Sequence, residues 1–133
     1  MSENTQLATA ENTNAPLAIS TFAADAKKAT IFNALNDAYS LADEAPDTIV
    51  LQGIIMKDGI RRARTQADQD TPCVDTYLVA DDGTAYFTQS DGIARSARDM
   101  LALYGNDVAG LVVRVVEKQL SNGNTVKNLR IMD

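Results

Sequence analysis

The sequence has no histidine and only one cysteine, Cys73. Together these absences remove most zinc sites, histidine acid–base catalysis and the serine–histidine triad. A single cysteine also excludes an internal disulfide framework, and Cys73, which follows Pro72 at the start of an apolar run, reads as a small buried hydrophobe. Neither a GxxxxGK(S/T) nor a GxGxxG phosphate loop occurs. No apolar run approaches the roughly 18 residues of a membrane-spanning helix. The first residues lack a basic flank followed by an apolar core, so no signal peptide, no membrane association and a cytoplasmic setting are expected. Asp68, Asp70 and Asp75 briefly resemble a calcium loop, but Cys73 stands where the loop needs glycine and Val79 where it needs glutamate. The pair Asp81-Asp82 is explained by a turn. An enzyme is therefore not expected, nor a cofactor or a metal.

What is present fits one globular domain: 133 residues, 45% of them hydrophobic. The net charge of −6 argues against a uniformly basic surface. The distribution is uneven, however. Residues 1–56 sum to −5, residues 57–66 to +3, residues 67–91 to −6 and residues 92–133 to +2. A cationic groove on an acidic body is compatible with that pattern.

Residues 1–24 are rich in Asn, Thr, Ala and Ser and read as a flexible arm, with the domain occupying 25–133. Ile31, Leu35, Ala38 and Ala42 at helical spacing predict a short helix over 25–43, with Phe32 and Tyr39 as packing residues. Thr48 to Lys57 reads as a strand, with Gly53 marking a bulge or bend and Asp58-Gly59 a turn. The basic cluster follows in 60–66, then an acidic loop and a strand from Cys73 to Ala80. Asp82-Gly83 is a hairpin signal, Thr84 to Gln89 a strand, and Ser90 a helix N-cap. Ile93, Ala97, Met100, Leu101 and Tyr104 share one face of the helix that follows, and Gly105 stands at its C-cap. Leu111 to Leu120, a turn at Asn122-Gly123, and Thr125 to Met132 complete the pattern.

That order gives a mainly β chain of five strands with one helix between the third and the fourth. Five strands in a small Greek-key barrel with a helix plugging one end form an OB-fold. The alternative from pattern alone is an open antiparallel sheet with a helix on one face.

The remaining chemistry is basic and aromatic. Binding single-stranded nucleic acid without sequence preference needs cations along the phosphates and flat rings against the bases. Lys57, Arg61, Arg62 and Arg64 form the densest positive patch, and Arg114 and Lys118 add cations on a later strand. Tyr77, Tyr86 and Phe87 are the strand aromatics; adjacent Tyr86 and Phe87 must point to opposite faces. Arg95 and Arg98 read as solvated helix residues.

Four stretches also carry a resemblance. They are Ile31-Phe32-Asn33-Ala34 with Asn36; Thr48-Ile49-Val50; Ala80 to Tyr86, followed by Ser90 and a helix ending Leu103-Tyr104-Gly105; and Val112 to Val116, followed through Asn122-Gly123 by a last strand. In this order and spacing, over about residues 30–132, the chain resembles the small single-stranded DNA-binding proteins of phages and conjugative elements of Gram-positive bacteria, including those of protein-primed Bacillus phages. The resemblance implies an OB-fold and sequence-independent coating of single strands during replication or conjugative transfer. The expected partner is single-stranded DNA, with single-stranded RNA open to the same chemistry. The N-terminal arm lies outside the resemblance; from its composition alone, self-association along the strand through it is expected to make binding cooperative. The rival expectation is an OB-like protein-interaction module whose basic residues only solubilise it.

Overall fold

A computed structural model describes residues 18–20, 28–44, 46–63 and 65–132. The long central strand β3 (Ile49–Arg61) carries the architecture. Its first residues pair with β6 (Val112–Gln119), and from Leu51 onward its opposite edge pairs antiparallel with β4 (Thr71–Ala80). The register shifts between Leu51 and Gly53. That bulge, where the sequence places its glycine, lets one strand bend between two parts of a curled sheet. β4 pairs with β5 (Ala85–Thr88), and β6 with β7 (Thr125–Met132). Two short strands were not expected: β1 (Ala18–Ser20) pairs with Ile54 to Met56 of β3, and β2 (Tyr39–Ser40) runs parallel to β5.

The result is a mainly β, OB-like half-barrel in which β3 to β7 carry one helix between the third and the fourth of them, as expected, with β1 and β2 as additions. Both hairpin turns are built alike. Gly83 donates to the Ala80 carbonyl at 2.9 Å and Gly123 to the Leu120 carbonyl at 3.0 Å. Both glycines have φ near +90° (91° and 88°), where a Cβ would be strained.

The connecting helix, α3 (Asp91–Tyr104), begins where Ser90 Oγ accepts from the Ile93 N–H and ends where Gly105 N–H reaches the Leu101 carbonyl. Ile93, Ala94, Ala97 and Met100 are buried against Leu51, Ile54, Leu78 and Val113 in the main core. Burying the larger of these contributes about 1.5–3 kcal/mol each, which outweighs the roughly 1 kcal/mol lost by having Gly92 in the first turn. Gly92 is required for another reason. A Cβ there would lie 2.1 Å from the Lys127 carbonyl oxygen of β7. Ser96 Oγ, in the next turn, accepts from Leu129 N–H at 3.1 Å and donates to the Gly92 carbonyl. α3 thus covers the edge of β7 directly, which protects an edge strand from pairing elsewhere.

A second, smaller core lies on the outer face of β3, β4 and β5. Ile55, Tyr77, Val79 and Ala85 are buried there beneath Ile31, Ala34, Leu35 and Ala38. Those residues belong to or adjoin α1 (Lys28–Asp37).

Several local expectations are corrected. The helix expected over 25–43 ends at Asp37, because Tyr39-Ser40 pair with Tyr86-Phe87; a separate short helix, α2 (Leu41–Glu44), follows. Phe32 is 65% and Tyr39 55% exposed, so neither is a core residue, though the ring centroids of Tyr39 and Tyr86 are 6.4 Å apart. Asp58-Gly59 do not turn: β3 continues to Arg61, with Asp58 opposite Val74 and Gly59 opposite Cys73. Of the expected arm, 18–20 form β1, while 1–17 and 21–24 lie outside the described residues.

Candidate nucleic-acid interface

Strand alternation sorts the side chains of the curled sheet into two sets. Ile54, Met56, Leu78 and the half-buried Tyr86 face the main core. Ile55, Tyr77 and Phe87 face the other way, onto the outer surface. Tyr86 and Phe87 therefore do diverge, and Phe87 is the one on the outer face. Its ring lies 5.2 Å from that of Tyr77. Tyr77 is only 6% exposed, so as packed it supports Phe87 and offers no free ring face. Burial, and then the nearby Asp75, push its hydroxyl pKa upward.

Beyond the reach of α1, this outer surface opens into a groove of about 810 Å³ between the ends of β3 and β5 and the β3–β4 connection. Phe87, Ile60 and Ala63 provide apolar lining, and Arg61, Arg62, Asp68, Gln69, Thr71 and Gln89 the polar lining. The local network explains why these groups converge. Gln89 Nε2 donates to the Ile60 carbonyl at 3.1 Å and to Asp75 Oδ1 at 3.0 Å. Arg61 Nη2 donates to the Gln89 carbonyl at 2.6 Å and to Asp91 Oδ1 at 3.3 Å. Arg61 thus ties the end of β3 to the β5–α3 junction.

Arg62 is held differently. Its Nη1 lies 3.1 Å from Asp70 Oδ2, with its side chain 82% exposed. An exposed pair of this kind contributes about 0–1 kcal/mol, so a phosphate can take the place of Asp70. The Ala63 N–H, and then Arg62, hold the Asp70 carboxyl below its usual range. Its stabilising contribution is therefore complete above the unfolded value of about 3.9 and is lost only as pH falls through the lower folded value.

The remaining expected site residues are dispersed. Lys57 is half-buried on the outer face of β3, opposite Asp75. Arg64 lies outside the described residues. Arg114 and Lys118 are exposed on β6, away from the groove. Arg95 and Arg98 are exposed on α3, as expected. Sequence reasoning missed a groove-lining residue, Gln89, which carries no distinguishing signal. Arg130 stands directly opposite Arg114 on β7.

Cys73 is buried, and desolvation, followed by the charge of Asp75, raises its thiol pKa. No group of metal-ligating side chains occurs among the described residues. No described helix is long and apolar enough to cross a membrane.

The sequence profile of the phage single-stranded DNA-binding protein family (phi29 phage type) matches residues 11–132. The chain belongs to this family. Membership supports a single-stranded DNA-binding role for the chain and agrees with the OB-like sheet. No curated protein and no solved structure matches it.

One consequence concerns pH. The chain has no histidine, the side chain whose ordinary pKa lies between pH 5 and 8. Affinity for single-stranded DNA should therefore change less than about twofold between pH 6 and pH 8 at fixed ionic strength, measured by fluorescence anisotropy.

Proposed function

We propose that this protein coats single-stranded DNA without sequence preference, and that the strand enters through the groove lined by Phe87, Arg61 and Arg62. The observation that carries this reading is the juxtaposition, in one groove, of an aromatic ring with two guanidinium groups, in a member of a single-stranded DNA-binding family. The position fits as well. An OB-fold presents oligonucleotide-binding surface on the face of its second and third strands and on the loops joining the first to the second and the fourth to the fifth. Here those are β4, β5, the segment between β3 and β4 and the turn between β6 and β7.

In this reading Phe87 stacks a base, with Tyr77 backing it and Tyr86 supporting the strand from the core side. Arg62, Lys57 and Arg64 contact phosphates, and Arg61 holds the groove's shape while presenting its remaining donors. Arg114 and Lys118 extend the cationic surface. The setting is replication of a phage genome or conjugative transfer.

The test is anisotropy with labelled oligo-dT, using duplex DNA and single-stranded RNA as competitors. Salt-sensitive binding that duplex fails to compete supports the reading. Absence of binding at low salt leaves an OB-like protein-interaction module instead.

We further propose that protomers associate along the strand through the N-terminal arm, a reading that rests on the composition of residues 1–24. Deleting residues 1–24 should lower cooperativity on long oligonucleotides by about tenfold, or 1.4 kcal/mol per contact, and change single-site affinity much less. Unchanged cooperativity would discard this part.

A further inference from the structure

The β6–β7 hairpin places two arginines opposite one another. Arg114 pairs in register with Arg130, and both are exposed. Directly opposed residues have Cβ atoms about 5 Å apart, and like charges at that spacing are destabilising. Alternation puts Lys118 on the same face of β6. Glu117 and Lys127 oppose each other on the reverse face, the side on which Val115 and Leu129 pack against the core. By alternation the hairpin's outer face carries three cations, and Arg114 also borders a cleft lined by Asp47, Glu117 and Lys127.

Neither Arg114 nor Arg130 forms an ion pair with another described residue, whereas Arg61 and Arg62 each have a carboxylate partner. The densest basic cluster in the sequence is thus partly neutralised within the fold. The hairpin, by contrast, sets two cations without a carboxylate ion pair directly against each other. In a chain of net charge −6, an unrelieved cross-strand arginine pair calls for an external anion. Its spacing suits the repeated charges of a phosphodiester backbone, which bind guanidinium groups through paired hydrogen bonds.

We propose that Arg114 and Arg130, with Lys118, form a second phosphate-contacting track, reached by a strand that continues around the outer surface of the sheet beyond the groove. The proposal rests on the single-stranded DNA reading and adds Arg130 and a length requirement to it. A strand of about 8 nucleotides is held by the groove, and one of about 16, the upper site size of a single OB-fold, reaches both surfaces.

The experiment compares wild type, Arg130→Ala, Arg130→Lys and Arg114→Ala on oligo-dT of those two lengths between about 50 and 200 mM salt. Arg98→Ala makes the same charge change on α3 and serves as the control. Each hairpin alanine variant should lose about 0.7 from the salt slope on the long oligonucleotide. Its affinity at low salt should fall roughly three- to tenfold. Both effects should be absent on the short oligonucleotide, and Arg130→Lys should recover most of the loss. The melting temperature of Arg130→Ala without DNA should stay level or rise at low salt, because a like-charge contact has been removed. An unchanged slope on the long oligonucleotide, or a loss matched by Arg98→Ala, overturns the second track. An equal loss on both lengths assigns Arg130 to the groove's own path and also overturns it. If wild type binds neither length, the DNA reading itself fails and the track fails with it.

Discussion

Replacing Gly92 by alanine should lower the melting temperature, although alanine is the better helix former. In an exposed helix, glycine to alanine gains about 0.5–1 kcal/mol. At Gly92 the new Cβ would meet the Lys127 carbonyl oxygen at 2.1 Å and Asn128 Oδ1 at 3.0 Å. The first obstacle is backbone of the neighbouring strand, so no side-chain rotation relieves it. α3 must move away from β7, which lengthens the Ser96–Leu129 hydrogen bond and loosens Ile93 and Ala97 in the main core. Overpacking of this kind costs about 1–3 kcal/mol beyond the helix gain. For a domain of this size that is a fall of roughly 4–12 °C, measurable by circular dichroism. A rise in Tm would mean that α3 does not rest directly on β7.

The second large effect concerns Phe87. Phe87→Leu should retain much of the packing against Tyr77 and Ala85 while removing the flat ring. Base stacking is worth about 1–3 kcal/mol per base, so affinity for oligo-dT should fall about 5- to 150-fold. The melting temperature should fall less than in Phe87→Ala, which also removes packing against the second core at a cost below the roughly 3–5 kcal/mol of a fully buried Phe. The salt slope should stay the same in Phe87→Leu, because no cation is removed. If affinity is unchanged, the ring only packs, and the bases lie elsewhere.

The parts of this fold that sequence anticipates are those specified locally. The N-cap Ser90, the apolar stripe from Ile93 to Met100 and the cap at Gly105 define α3 with no reference to the rest of the chain. The two turns, each with Asp or Asn before its glycine, fix the β4–β5 and β6–β7 hairpins. Asp58-Gly59 shows the limit of such signals. The same dipeptide type remains in a strand because β4 offers partners as far as Thr71. The glycine there makes room for the Asp75 carboxylate, whose Oδ1 would lie 2.2 Å from a Cβ. Gly59 marks a close approach, and nothing local separates that from a turn.

The candidate site was legible in type more than in arrangement. Arg61, Arg62 and Phe87 were named from composition, and the structure places all three along one groove. Asp91 lies 30 residues from Arg61 and Asp70 eight from Arg62, so the partial neutralisation of the basic cluster became visible only with the chain folded. The two most exposed aromatics at the N-terminal side, Phe32 and Tyr39, had helical spacing suited to packing. Their exposure follows from α1 covering the sheet with Ile31, Ala34 and Leu35 and leaving Phe32 on its outer side.

The most direct test of the groove is a nuclear magnetic resonance titration of the labelled protein with a short oligo-dT. The account predicts that the largest shifts cluster at Thr71, Phe87, Gln89 and the Arg62 guanidinium, with α3 from Arg95 to Leu103 unmoved. Saturable shifts confined to α3, or to the β2 side of the sheet around Tyr39 and Asp82, would contradict it and place single-stranded DNA on a different surface of the same fold.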